Sequence, residues 1–419
     1  MFVGKSLLPE YLQDQEFKVY ILVLFSSRFL IPLLLFQLPN VYTEWLHNIA
    51  FLMDRKGVDA IWTPYPLLVN FLIYSLYALT YNDYVLFSLV FFLLNALADT
   101  INGVIIWKVL EKSKYSYSPY MRWLYAYSPL PVMWVSMQMV FDPYVVMLLL
   151  LSIYFIKLRK LTSSSFLATL GASLKIFPIF AVISAFFSFK WHERRLKKFV
   201  IYSLIFTAFL NFMVVINPTI FLSPFYWQLS RPAWGSFFSL LSILTNYDNA
   251  INAGVFKDFV ANLVNFNLIE YGIVGITPNP TILGTKISLD ITILKLFSLS
   301  FMISSILIFG FFAKKKNLGL VNTLLGFLCL FFVFSFGFSP QYIMYVFVLL
   351  FLVLRPERFM TTIIAIQSLA LLEYPFSLIF FYLNLLPIQG LLILFYSAVL
   401  LRDCVLLYIP IRLIRNGGL

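Results

Sequence analysis

The sequence predicts an all-α polytopic membrane protein that forms a single integral-membrane domain over residues 1–419. Hydrophobic residues make up 61% of the chain and aromatic residues 19%, and the mean hydropathy is +0.90, far above the range of soluble globular proteins. Many apolar runs approach the length that a helix needs to cross a bilayer. Together these observations predict about 10 to 12 transmembrane helices.

The candidate membrane spans follow one another along most of the chain. Residues 1–18 mix acids with bases and no small-residue cleavage site follows them, so the first apolar run is predicted to remain as a helix. A spanning helix needs about 20 mostly apolar residues. Candidate spans begin near residues 19, 84, 123, 143, 199, 291, 318, 342, 359 and 387.

The sidedness of these spans follows from the positions of the basic residues. Lysine and arginine concentrate in segments that separate or flank the apolar runs, and the positive-inside rule places such segments in the cytoplasm. These segments are 108–122, 157–160, 190–198, 314–316, 355–358 and 402–415. We therefore assign the formal net charge of +12 to the headgroup region of the membrane and predict no nucleic-acid partner.

With those loops inside, the outer face carries a first outer loop at 39–82 and a large outer loop at 217–290. Residues 61–81 are long enough to cross the membrane, but a crossing there would invert every later loop. They are predicted to lie along the outer interface, where Trp and Tyr are common. Residues 164–189 have basic clusters on both flanks and are predicted to form two half-depth helices that meet near Lys175.

The sequence lacks the motifs of several well-known metal-binding, nucleotide-binding and catalytic sites. The two cysteines, Cys329 and Cys404, lie far apart without metal-ligand spacing, and the chain has two histidines, so no metal ligand is predicted. The sequence has no GxxxxGK[ST] loop, no GxGxxG, no HExxH and no G-x-S-x-G elbow. The candidate functional residues are therefore the acids and bases at or within the membrane, where a charge is costly.

Two acids are candidate catalytic bases on the outer side. Glu44 follows the first span in VYTEW, within a stretch whose spacing predicts an interfacial amphipathic helix. Near the headgroups its carboxylate can stay ionised and act as a base, or it can be an ordinary solvated acid. Asp142 in VFDPYVV opens the next outer helix, where it is either a second candidate base or the cap of that helix.

A polar stripe is predicted inside the bundle. Asn95, Asp99 and Asn102 are spaced i, i+4, i+7 and so share one face of an otherwise apolar helix. Asp99 is a candidate substrate-binding residue, and hydrogen bonding between helices is the alternative for the whole stripe. Arg28, in the middle of the first span, is a candidate partner for Asp99.

The remaining candidates are groups suited to an anion or a sugar. Lys175 in LKIFP and Arg231 in QLSRPAWGSF lie near the outer face and outside the basic loops, so they are candidate phosphate ligands. Arg231 is equally consistent with a surface residue of the outer loop. Gln341 and Tyr342 in FSPQYIMYV lie at the outer start of a helix, where they can orient a sugar or a headgroup. Tyr342 alternatively belongs to an aromatic belt.

Short sequence blocks carry a resemblance to a known family. In order they are VYTEW, TPYPLL, Asp99, YSPLPVMWVSMQMVFD, LGASLKIFP, SRPAWGSF and FSPQYIMYV. Over about residues 19–356 this order resembles the integral-membrane C-type (GT-C) glycosyltransferases, most of all the catalytic subunit of glycosylphosphatidylinositol mannosyltransferase I and its prokaryotic relatives. The resemblance implies a GT-C-like helical bundle with an interfacial helix in the first outer loop.

The resemblance also implies an activity and a set of site residues. It implies transfer of a hexose, most commonly mannose, from a polyprenyl (dolichyl) phosphate donor to a lipid or glycan acceptor, with inversion, on the outer face of the cell membrane. Glu44 and Asp142 fall on the family's acids, Lys175 on its basic-x-x-Pro block, and Gln341 with Tyr342 on its Gln-Tyr pair.

One family motif is missing. The family's Asp-x-Asp would fall at Phe36 to Leu38, where this chain has no acid, and Glu44, Asp54 or Asp59 would have to take that role. No cofactor is assigned as certain, and a divalent metal stays open. Two alternatives remain at this level: a flippase or transporter of lipid-linked sugars, and a catalytically inactive GT-C relative that assembles with an active enzyme.

Overall fold

The computed structural model describes an almost entirely helical protein. The described residues are 15–35, 41–56, 65–111, 118–138, 140–188, 194–210, 212, 236–238, 281–282, 285–286, 291–353, 359–381 and 389–415. Apart from the helices, the described part contains one short antiparallel pair, β1 (Thr281–Ile282) with β2 (Thr285–Lys286). The all-α fold class predicted from the sequence is confirmed at this level.

The N-terminal half contains eleven α-helices and two π-helical segments. They are α1 (Gln15–Phe25), a π segment (Ser26–Leu30), α2 (Ile31–Leu35), α3 (Val41–Lys56), α4 (Leu67–Leu79), α5 (Tyr84–Glu111), α6 (Ser118–Ala126), α7 (Pro129–Val132), a second π segment (Met133–Gln138), α8 (Asp142–Lys157), α9 (Leu161–Leu174), α10 (Ile179–Ser188) and α11 (Arg194–Leu210). That count refers to the described residues alone.

The C-terminal half continues with longer helices and one sharp turn. Its elements are α12 (Ile291–Lys316), α13 (Leu320–Phe334), a 3-10 turn (Pro340–Tyr342), α14 (Ile343–Leu350), α15 (Met360–Phe381) and α16 (Gln389–Arg415). Helix α14 is buried all round, since every residue from Ile343 to Leu350 has no exposed surface. A helix that is apolar and covered on all sides forms the centre of a bundle.

Four stretches of the described chain are long and apolar enough to cross a membrane. They are Gln15–Leu34, Tyr84–Glu111, Lys295–Lys316 and Leu394–Arg415. They coincide with predicted spans that begin near residues 19, 84, 291 and 387. Membrane-spanning helices are therefore supported, whereas the larger predicted number of spans stays a prediction.

The span predicted to begin near residue 123 is not one helix. Helix α6 ends at Ala126, and the chain restarts at Pro129 as the short helix α7. Pro129 and Pro131 supply no backbone N–H and disfavour helical geometry in the residue before them, which explains the interruption. Averaged hydropathy does not register such a break.

Two helices shorter than a membrane span flank Lys175, as predicted from the basic residues on either side. Helix α9 has 14 residues and α10 has 10, which correspond to about 21 Å and 15 Å of rise. Helices α8, with 16 residues, and α13, with 15, are also shorter than the roughly 20 residues of a full span.

The prediction that 402–415 lies in the cytoplasm is wrong for Arg402. This residue lies near the middle of α16 and is 1% exposed. It is paired with Glu373 and Asp403 and does not lie in a loop. The positive-inside rule counts bases without their partners, so it mistook a buried ion pair for a flanking charge.

Candidate functional site

Three residues singled out by the sequence come together where short helices end. Asp142 begins α8, Lys175 lies between α9 and α10, and Tyr342 lies between α13 and α14. The Lys175 ammonium contacts both of the other residues. We call Asp142, Lys175 and Tyr342 the candidate site.

The carboxylate of Asp142 is directed at Lys175 and does not cap α8. The residue preceding the helix is Phe141, and no side chain caps this end. Both carboxylate oxygens of Asp142 accept hydrogen bonds from Lys175 Nζ, at 2.7 and 2.9 Å. Asp142 is 1% exposed, so its charge is compensated by lysine rather than by water. The capping role left open by the sequence is therefore not the observed one.

Lys175 is held in extended backbone between two helices. Its φ and ψ are −159° and 138°, and its backbone N–H donates to Gly171 O at 2.9 Å, which closes the last turn of α9. A side chain at Gly171 would meet Pro178 at 3.0 Å, so a glycine lets the start of α10 pack close to α9. Lys175 itself remains 24% exposed, which makes it the accessible member of the ion pair.

Aromatic rings form the wall beside the lysine ammonium. Lys175 Nζ lies 4.5 Å from the centre of the Tyr342 ring and 5.6 Å from that of Phe177. The Phe177 and Tyr342 rings meet edge to face at 4.8 Å. Cation–π contacts of this kind stabilise a cation without neutralising it. Gln341 is half-buried in the same 3-10 turn.

Further aromatic groups surround Asp142. Phe141, the residue before it, packs on Phe91 of α5 at 5.1 Å and on Tyr65 at 5.8 Å. Tyr65 belongs to the predicted first outer loop, so this loop reaches the neighbourhood of the site. On the opposite side the phenol of Tyr345 interacts electrostatically with the Asp142 carboxylate.

With the predicted sidedness, the helix lengths would place the site below the outer surface of the membrane. Helix α8 begins at the site and ends near the predicted cytoplasmic segment 157–160, whereas α9 and α13 begin near predicted cytoplasmic segments. Their lengths of 16, 14 and 15 residues correspond to about 21 to 24 Å, and a hydrocarbon core is about 30 Å thick. Non-helical backbone at that depth is tolerated only where protein buries it or water lines it. The Lys175 side chain is 24% exposed, so protein does not seal its ammonium.

A buried hydrogen-bond network around Asp99 adjoins the start of α8, the helix that begins with Asp142. Arg28 Nε donates to Asp99 Oδ2 at 3.0 Å, both side chains are 0% exposed, and this confirms the predicted pairing. Tyr125 donates to Asp99 Oδ1 at 2.7 Å. Asp99 is thus occupied by protein groups, which favours the structural role that the sequence left open. Asn102 donates to Pro143 O at 3.2 Å and joins the stripe to the first turn of α8.

The π segment around Arg28 belongs to the same network. Arg28 also donates to Ala126 O at 2.6 Å and Tyr125 O at 3.0 Å. These carbonyls end α6, where helix geometry leaves the last four without intrahelical donors. The guanidinium therefore satisfies the helix end created by the break before Pro129.

Glu44 lies on α3, so a helix forms where one was predicted, while its placement at the membrane interface stays a prediction. The Glu44 side chain is exposed. Its electrostatic neighbour is Tyr84, at the start of α5. In the described part of the chain, no ion pair joins Glu44 to Lys175. Its role as a base stays a prediction. Arg231 lies outside the described residues, as does Asp59.

Sequence reasoning missed several neighbours of the site. Phe177 and Tyr345 gave no signal because aromatic residues at helix starts are common in an apolar chain. The buried trio of Glu373, Arg402 and Asp403 was also missed; a basic and two acidic residues inside two predicted spans were the available signal. No group of three or more His, Cys, Asp or Glu side chains within the described ranges is placed to hold a metal ion.

No protein-family model matches this chain. The curated proteins likewise contain no significant match to it.

Proposed function

We propose that this chain is a hexosyltransferase that takes its sugar from a polyprenyl-phosphate donor and passes it to a lipid or glycan acceptor at the outer face of the cell membrane. The observation that carries the proposal is the ion pair between Asp142 and Lys175, whose partly exposed ammonium lies beside the rings of Phe177 and Tyr342. A sugar phosphate needs a cation for its leaving group and a base for the acceptor hydroxyl. This pair contains one of each.

The proposed reaction begins with an exchange of partners. The donor phosphate takes the Lys175 ammonium, which is the exposed member of the pair. Asp142 is then released from its counter-ion and can accept a proton from the acceptor hydroxyl. Binding of the donor would thereby create the base, so Asp142 would stay neutralised until a substrate arrives.

The bond changes follow from these roles. The acceptor hydroxyl oxygen forms a bond to the anomeric carbon while its proton passes to Asp142. The bond between that carbon and the phosphate oxygen breaks, and its electron pair stays on the phosphate, which Lys175 stabilises. Attack from the side opposite the phosphate inverts the anomeric centre. Gln341 and Tyr342 would orient the sugar, and Arg231 is proposed as a second phosphate ligand.

The test is transfer of radiolabelled mannose from polyprenyl-phosphate mannose to native lipid extract by the purified protein in nanodiscs. We expect labelled product from the native protein and losses of about 100-fold or more for Asp142→Asn and Lys175→Gln, the usual range for a general base or a charge-stabilising group. Lys160→Gln is the matched control, since Lys160 is an exposed lysine in a predicted cytoplasmic turn. Failure with every polyprenyl-phosphate sugar would refute the proposal and favour the flippase or the inactive relative.

A charge swap separates catalysis from structure. If the pair only joins α8 to the turn after α9, the double variant Asp142→Lys/Lys175→Asp should keep both folding and transfer. If the pair is catalytic, the double variant should fold and still transfer no sugar, because the base and the phosphate ligand have exchanged places. Melting temperature and labelled product, measured on the same sample, distinguish the two outcomes.

A further inference from the structure

The trio of Glu373, Arg402 and Asp403 contacts the turn that carries Tyr342. Arg402 Nη1 donates to Glu373 Oε2 at 2.6 Å, and Arg402 Nη2 donates to Asp403 Oδ1 at 2.8 Å. All three side chains are buried. A buried ion cluster is costly to desolvate and is no more stabilising than an apolar core. Stability alone therefore does not explain why these three residues are charged.

The trio contacts the candidate site through one aromatic ring. The Arg402 guanidinium lies 3.7 Å from the centre of the Phe338 ring. The Phe338 ring in turn meets the Tyr342 ring edge to face at 5.7 Å. Since Tyr342 faces the Lys175 ammonium, an unbroken series of contacts joins the buried guanidinium to the exposed lysine.

The trio also faces a segment of the large outer loop. The backbone N–H of Phe237 interacts favourably with the Asp403 carboxylate. The Ser236 hydroxyl donates to Phe336 O at 2.9 Å, two residues before Phe338. Residues 236–238 of this loop therefore contact the same turn that the Arg402 guanidinium contacts.

From these contacts we infer that Arg402 is a positioning residue, which holds the 336–342 turn so that the Tyr342 ring covers the Lys175 ammonium. Glu373 and Asp403 fix the guanidinium plane, and that plane stacks on Phe338. A planar guanidinium held by two carboxylates has a defined orientation, whereas a lysine ammonium at the same place would not. The inference rests on the candidate site proposed above, but it does not depend on which sugar is transferred.

The test measures how accessible the Lys175 amine is, and it requires no turnover. The protein in nanodiscs is treated with formaldehyde and cyanoborohydride, and dimethylation of the Lys175 peptide is followed over time by mass spectrometry. Phe338→Leu removes the ring between Arg402 and Tyr342 without leaving any charge unpaired. We expect Lys175 to react about tenfold faster in this variant, as befits the loss of a cation–π contact worth about 1.4 kcal/mol.

Two further variants complete the design. Arg402→Lys keeps a positive charge for Glu373 and Asp403 but loses the stacked plane, so Lys175 should again react faster. Phe199→Leu is the matched control, because Phe199 is equally buried but belongs to a separate apolar cluster with Ala168 and Ala185. It should leave Lys175 unchanged.

An unchanged Lys175 rate in Phe338→Leu overturns the inference, and so does an equal increase in Phe199→Leu. If Arg402→Lys does not fold, Phe338→Leu alone carries the test. A native protein that transfers no sugar, combined with faster labelling in Phe338→Leu, would reject the proposed function while supporting the positioning role. Sugar transfer by the native protein, combined with unchanged Lys175 labelling in Phe338→Leu, would support the proposed function and reject the positioning role of Arg402.

Discussion

Replacing Arg28 by methionine should strongly destabilise the protein. Methionine keeps much of the apolar stem but removes the guanidinium that pairs with Asp99 at 3.0 Å. The Asp99 carboxylate would then be buried with the Tyr125 hydroxyl as its main remaining partner. Breaking a fully buried pair in this way costs about 3–5 kcal/mol.

A second contribution comes from the end of α6. The carbonyls of Tyr125 and Ala126 lose the donors that Arg28 provides. Each buried carbonyl left without a partner costs about 1–3 kcal/mol, although water entering at the break would recover part of this and the contributions overlap. We therefore expect a total loss of about 4–6 kcal/mol, a large part of the stability of a typical protein.

A double-mutant cycle checks this reasoning. Unfolding free energies in detergent are measured for Arg28→Met, Asp99→Asn and the double variant. Because the double variant removes both charges, it should be more stable than Arg28→Met alone by about 2 kcal/mol or more. A loss below about 1 kcal/mol in Arg28→Met, or additive effects of the two single changes, would show that the pair is hydrated and that its burial has been misjudged.

Three further predictions concern the site and its surroundings. Asn95 is fully buried and neither of its amide atoms has a partner among the described residues, so Asn95→Leu should stabilise the protein by about 1–3 kcal/mol in thermal unfolding; destabilisation would reveal a bound water or ligand. Glu44→Gln should retain far more mannose transfer than Asp142→Asn, since Glu44 is exposed; equal losses in the same assay would restore Glu44 as the base. Tyr342→Phe should leave Lys175 labelling within about twofold of the native rate and Tyr342→Ala should raise it, because the ring rather than the hydroxyl faces the ammonium; labelling that followed the hydroxyl would contradict this.

The sequence was informative wherever a polar residue interrupts an apolar run. Asp142, Lys175 and Tyr342 were selected because a charge or a polar group in such a place requires a partner. The flanking bases also indicated that the chain turns back near Lys175, and this predicted the two short helices on either side of that residue. What the sequence could not supply was the contact between these residues, because their separations along the chain carry no information about how the helix ends meet.

The errors have a common physical origin. Arg402 was assigned to a cytoplasmic cluster because counting bases ignores Glu373, which lies 29 residues away and neutralises it in the bundle. The span near residue 123 was predicted as continuous because mean hydropathy is insensitive to Pro129. In both cases a property averaged over a segment concealed the effect of one residue: the ion pair of Arg402 in the first case and the helix break at Pro129 in the second.

The two membrane-depth ion pairs of the N-terminal half differ in a way that bears on function. Arg28 and Asp99 are both sealed from solvent, and the guanidinium is fixed by carbonyls as well as by the carboxylate. Lys175 and Asp142 share two short hydrogen bonds, yet the lysine alone is 24% exposed and its other described contacts are the faces of aromatic rings.

A lysine ammonium on a flexible stem can exchange one anion for another, whereas a forked guanidinium held on several sides cannot do so without opening the bundle. The first pair therefore has the properties of a structural link, and the second has those of a site that an external anion can enter. An anion that displaces Asp142 from Lys175 leaves the buried Asp142 carboxylate without its lysine counter-ion. In the proposed reaction that state would end when the carboxylate accepts the proton of the acceptor hydroxyl, which would couple phosphate recognition to base catalysis.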